Sequence, residues 1–148
     1  MSRPFPLQSV LDLMRNRNDA ATQRLAALIA AERDARKTLA MLLQYRDEYT
    51  ARFRQAVQDG LGQPEWRNYQ EFLDRLDEAV RQQEQAAALK AAHTAAGQAE
   101  WQNQRSRLNA FDTLSDRHRA GEVRRELRNE QKLQDEFAAR GSDGRHEQ

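Results

Sequence analysis

A chain of 148 residues with 24 basic and 23 acidic side chains carries a formal net charge of +1, so no bulk field pulls it toward nucleic acid or an anionic membrane. Charged residues make up 32% and aromatics only 7%, and the many alanines and arginines suit long helices better than a globular core. There is no cysteine, which excludes disulfides and thiol chemistry. The longest apolar run, Leu25 to Ala31, falls far short of the roughly 20 residues of a membrane span. The first residues show no secretory signal, so the sequence reads as that of a soluble intracellular protein.

Pro4-Phe5-Pro6 closes an irregular start, and helical periodicity begins at Leu7. Steps of seven pick out Leu7, Met14, Ala21, Leu28, Ala35, Leu42, Tyr49 and Ala56, an unbroken apolar column. The companion column alternates apolar and polar: Leu11, Asn18, Leu25, Glu32, Leu39, Arg46 and Phe53. Sustained heptads of this kind predict a coiled coil. Gly60-Leu61-Gly62-Gln63-Pro64 then interrupts the pattern. Gly60 suits a left-handed helix end, Pro64 suits the first turn of a new helix, and Glu65 favours that N-terminus. This stretch predicts a hairpin turn.

The second arm shows columns at Trp66, Leu73, Val80, Ala87, Thr94, Trp101, Leu108 and at Tyr69, Leu76, Gln83, Lys90, Gly97, Gln104, Phe111. A turn between Leu61 and Gly62 makes the numbers of facing residues add to about 123. Asn18 then meets Gln104, Glu32 meets Lys90 and Arg46 meets Asp77, so each polar break finds a polar or opposite-charge partner. The small residues from Ala86 to Ala99 fall opposite Leu25, Leu28 and Ile29. The expected fold is all-α, a long antiparallel two-helix coiled coil. Arm one covers about residues 6–59, the turn 60–63 and arm two 64–140, followed by a polar tail at 141–148. Beyond about His118 arm two has no counterpart in arm one. There Ala120, Val123, Leu127, Glu130, Gln134 and Phe137 keep a faint stripe along a helical extension suited to a partner.

No enzyme motif is present. No glycine-rich phosphate loop occurs, and His93, His118 and His146 lack the spacing of a metal site. No catalytic residue, cofactor, metal or small-molecule substrate is expected. Two features exceed what a coiled coil needs. Leu42, Tyr45 and Tyr49 on arm one and Phe72, Leu76 and Ala79 on arm two are spaced to form one shallow apolar patch near the turn. That spacing alone fits ordinary core plus rim better than a docking surface, which exposed apolar patches often are. The second feature is charge. Residues 65–84 carry six acids against three bases, whereas 105–128 carry seven bases against four acids. The basic excess is small and has no aromatic stacking platform, so nucleic acid is not an expected partner.

At these residues the sequence resembles the FliJ family of flagellar type III export proteins. The likeness rests on Met41-Leu42-Leu43-Gln44-Tyr45-Arg46-Asp47-Glu48-Tyr49 before the turn, then Trp66-Arg67-Asn68-Tyr69-Gln70-Glu71-Phe72 and Leu76-Asp77-Glu78-Ala79-Val80. It continues through Trp101, Arg107-Leu108 and Leu114-Ser115-Asp116-Arg117 to Gln131-Lys132-Leu133-Gln134-Asp135-Glu136-Phe137-Ala138. The resemblance implies a hairpin similar to the stalk helices of the rotary ATPase γ subunit. It implies a cytoplasmic protein, peripheral to the inner membrane at the flagellar base. Its implied partners are the hexameric export ATPase, whose assembly and activity it promotes, the FlhA-type export gate and export chaperones that it helps recycle.

By the same resemblance Leu42, Tyr45, Tyr49, Phe72, Leu76 and Ala79 form the gate-binding surface, though Thr38 and Gln83 stand where the family has longer or basic polar residues. The ATPase contact falls at the open end, on Leu11, Met14, Val123 and Leu127, with Arg117 and Arg124 facing acidic loops of the ring. The hairpin is expected to be a monomer of about 17 kDa. The rival reading is a purely structural coiled coil that self-associates through its long arms.

Overall fold

The computed structural model describes residues 3–146, with side chains through 144. It contains two α-helices and, among the described residues, no strand: α1 is Gln8–Gln58 and α2 is Gln63–His146. They pack against each other as an antiparallel coiled-coil hairpin. Helix α2 runs through 141–146, where composition reads as a polar tail; residues 147–148 of that tail lie outside the described residues.

The reversal is built by the glycines and by Glu65. Gly60 is the only described residue with a left-handed backbone, at φ 90°. It ends α1, with the Asp59 N–H donating to the Gln55 carbonyl at 3.0 Å and its own N–H to that of Val57 at 3.3 Å. Gly62 caps α2, since its carbonyl accepts the first helical bond from the Trp66 N–H at 2.9 Å. Glu65, three residues on, accepts from the Gly62 N–H at 3.3 Å, the one half of a capping box that a glycine at the cap allows.

The chain forms two compact units, Met1–Asp19 with Asn103–Gln148, and Ala20–Gln102. In the second unit the expected pairing appears directly. The Trp101 indole donates to the Thr22 hydroxyl at 2.9 Å and Arg46 pairs with Asp77 at 3.6 Å, each couple adding to 123. Glu32 departs from that register's partner. Its carboxylate binds Arg36, one turn along its own helix, at 2.9 Å in place of Lys90. An i, i+4 partner needs no cross-helix reach, so it wins a carboxylate that is only 16% exposed.

The core of this unit is Ala21, Ala35, Leu76, Val80 and Ala87. Polar column residues keep to the interface by bonding backbone. Gln83 donates to the Ala35 carbonyl at 3.0 Å, and the Thr94 hydroxyl lies 3.3 Å from that of Leu28. The small stretch of α2 admits Leu25 and Leu28, whereas Ile29 is exposed rather than facing it. A Cβ placed on Gly97 would sit 2.5 Å from Leu28 Cδ1. Gly97→Leu is therefore expected to cost about 1–3 kcal/mol by overpacking. Urea unfolding of the double variant Gly97→Leu with Leu28→Ala should recover most of that loss, because the swap returns the volume to its place.

The first unit is centred on Leu11, the largest fully buried side chain, with Met14 beside it in the core. Asn18, Ser115 and Glu122 are buried as well. The segment before α1 folds onto α2. His118 Nε2 donates to the Arg3 carbonyl at 2.8 Å, and the Phe5 ring lies 5.6 Å from the imidazole. The Arg3 N–H donates to Glu122 Oε2 at 3.3 Å, so α2 has partners as far as Glu122, one turn beyond His118. Ser115, His118 and Glu122 continue the heptad columns of Leu108 and Phe111 with polar side chains.

Candidate docking surfaces

Two surfaces follow from this packing, one in each unit. In the unit Ala20–Gln102, heptad spacing brings aromatic side chains from both helices into one stack. Tyr49 and Phe72 are in closest contact, with ring centroids 4.2 Å apart. Tyr45 meets Phe72 edge-on at 6.3 Å, and Tyr69 lies 5.4 Å from Tyr49 and 5.5 Å from Phe53. Trp66 extends the stack toward the turn at 6.3 Å from Phe53. Such tilted and edge-on pairs favour rigid rings at low cost in side-chain entropy.

The six residues read as a patch are brought together but differ in accessibility. Tyr45 is 45% exposed and forms its outer face. Leu42, Tyr49, Phe72 and Ala79 are half-buried. Leu76 is 7% exposed and belongs to the core beneath them. The spacing argument passed over Met41, which is strongly exposed one turn before Tyr45, and the half-exposed Trp66. The i, i+4 relation of Met41 to Tyr45 is the signal that finds the first of these. Polar pairs edge this region. Arg81 donates to Glu78 Oε2 from Nε at 3.1 Å and from Nη2 at 2.6 Å, which together with its positive charge holds the Glu78 carboxyl below its ordinary value.

In the other unit the residues assigned to the open end separate into two kinds. Leu11 and Met14 are core and present no surface. Arg117, Val123, Arg124 and Leu127 are exposed on α2. Arg124 Nε donates to its own helix at the Ala120 carbonyl, 3.3 Å away. Arg125 instead binds the buried carboxylate of Glu122 at 3.1 Å, which also holds the Arg3 backbone. Phe5, Ser115, His118, Glu122 and Val123 line a shallow groove where the N-terminal segment lies on α2. The polar residues there escaped the sequence reading because apolar periodicity ends at Phe111. Continuing its steps of seven from Leu108 and Phe111 reaches Ser115, His118 and Glu122.

Neither surface holds a cluster of three metal-ligating side chains among the described residues. No described helix is long and apolar enough to cross a membrane. Residues 2–147 match the family model described as Flagellar FliJ protein. The Flagellar FliJ protein of Salmonella typhi is 29% identical over 142 residues, covering 96% of this chain and 97% of its own length. That of Escherichia coli strain K12 is 28% identical over 142 residues with the same coverage. A match of this extent, on a chain that folds as the residues carrying the likeness imply, places this protein in the FliJ family of flagellar proteins.

Proposed function

We propose that the protein is a non-enzymatic component of flagellar type III export that couples the hexameric export ATPase to the export gate. The observation that carries the reading is the aromatic stack beside the turn, with Tyr45 half out of it, in a chain of the FliJ family. Rigid rings presenting large contact area are what a protein-docking hot spot requires. In this reading Tyr45, with Met41 beside it and Tyr49 and Phe72 behind it, binds the cytoplasmic domain of the gate. Leu42 and Ala79 flank that contact, and Leu76 supports it from below.

The basic face of α2 binds the ring. Arg117 and Arg124 meet acidic loops, Val123 and Leu127 supply apolar contact, and Leu11 and Met14 hold the helix in place. Ring binding promotes assembly and ATP hydrolysis at the inner membrane, and the same component returns export chaperones for reuse. Charge across such a contact governs encounter and salt dependence.

The test is the ATPase rate of the purified ring titrated with this chain, run beside binding of the gate domain. Arg117→Glu with Arg124→Glu is expected to raise the concentration giving half-maximal stimulation about tenfold, with gate affinity unchanged. Unaltered stimulation by that variant would remove the ring from this face.

A further inference from the structure

The last turns of α2 present a face that none of the described residues covers. Exposure rises from 55% at Val123 to 81% at Phe137, with Leu127 and Leu133 between them. At 3.6 residues per turn these four side chains fall within an arc of about 120°, which Glu126, Glu130 and Gln134 share. A helix this far from any packing is marginal in water, so an uncovered, partly apolar arc on it calls for an occupant.

The charges say which occupant. Residues 119–132 carry five bases against three acids, and residues 133–143 carry three acids against one base. Arg124 bonds only its own backbone, and Asp135 and Glu136 have no ion-pair partner among the described residues. Arg124 and Asp135 are eleven residues apart, which is three turns, so they stand on the same flank of the apolar arc. A foreign acidic helix would neutralise the basic half and leave Asp135 and Glu136 facing like charge. A parallel copy would set like against like along its whole length. An antiparallel copy matches both halves at once.

We propose that this face is the interface for a second copy of the chain, with two extensions pairing antiparallel about a two-fold axis near Glu130. Around that axis Val123 and Leu127 of each copy pack on Leu133 and Phe137 of the other. Arg124 of each pairs with Asp135 of the other, so the ion pair forms twice, as a self-complementary interface requires. Glu130 meets its own equivalent close to the axis. That repulsion, with only four apolar residues per copy, keeps the pair weak and reversible. The pairing draws on Val123, Arg124 and Leu127, which the ring contact proposed above also uses, so a second copy and the ring would compete for this face. The pairing itself does not depend on that reading.

Sedimentation velocity of the full chain, from micromolar to several hundred micromolar, tests it. A monomer–dimer equilibrium is expected. Arg124→Asp should weaken it about tenfold, and adding Asp135→Arg to the same chain should restore it, since the swapped charges again match. Glu130→Leu should tighten it about tenfold by removing the repulsion and filling the arc. Because the chain has no cysteine, Glu130→Cys should cross-link the two copies to each other under mild oxidation. A chain that stays monomeric throughout the range overturns the proposal. So does a dimer indifferent to both Arg124→Asp and Glu130→Leu.

Discussion

Replacing Leu11 with alanine is expected to remove about 3 kcal/mol from the stability of the unit formed by Met1–Asp19 and Asn103–Gln148. Leu11 is 0% exposed and shares this interior with Met14 and with the polar Asn18, Ser115 and Glu122. Truncating it loses the transfer energy of the removed atoms and adds the cost of the cavity left behind. Urea unfolding should report the loss. Hydrogen exchange should place it, with protection falling around residues 8–18 and 104–118 before it falls in 20–102. Val123→Ala and Leu127→Ala, at exposed positions, should each change stability by less than about 0.5 kcal/mol. The contrast bears on the ring contact. A defect in ATPase stimulation from Leu11→Ala would follow unfolding of its support, whereas one from Val123→Ala would follow lost contact.

The difference between those residues marks how far sequence reaches in a coiled coil. Both heptad columns of arm one were legible because period and burial coincide over seven repeats. Of those columns only Leu7 lies exposed. The register near Arg46 and Asp77 was legible for the same reason, since one turn position fixes every facing pair. Glu32 was not, because a long flexible acid chooses among cations within reach, and Arg36 on the same helix is the nearer. Spacing also groups Tyr45 with Leu76, yet the ring on α1 is half-exposed whereas the leucine on α2 lies in the core. In the unit of Met1–Asp19 and Asn103–Gln148 the packing includes Ser115, His118 and Glu122, whose polarity hides them from an apolar pattern. The partners of His118 and Glu122, Arg3 and Phe5, come from a proline-bounded segment with no period at all.

Tyr45 and Leu76 provide the sharper test of the gate surface, because the structure assigns them opposite costs. Tyr45 touches the stack through Phe72 and Tyr49, each at 6.3 Å, and leaves almost half its surface in solvent. Tyr45→Ala is therefore expected to cost under about 1 kcal/mol in unfolding. If the ring is an anchor, the same change should weaken gate-domain binding by about 2 kcal/mol, or roughly 30-fold, in calorimetric titration. Leu76→Ala should behave in reverse. It removes a core side chain at a cost of about 2–3 kcal/mol, while affinity per folded molecule stays near that of the unaltered chain. Gate binding unchanged by Tyr45→Ala but lost with Trp66→Ala would move the anchor to the turn end of the stack. Binding unchanged by both would separate the gate from this surface, leaving the aromatic stack as the packing that holds the hairpin closed.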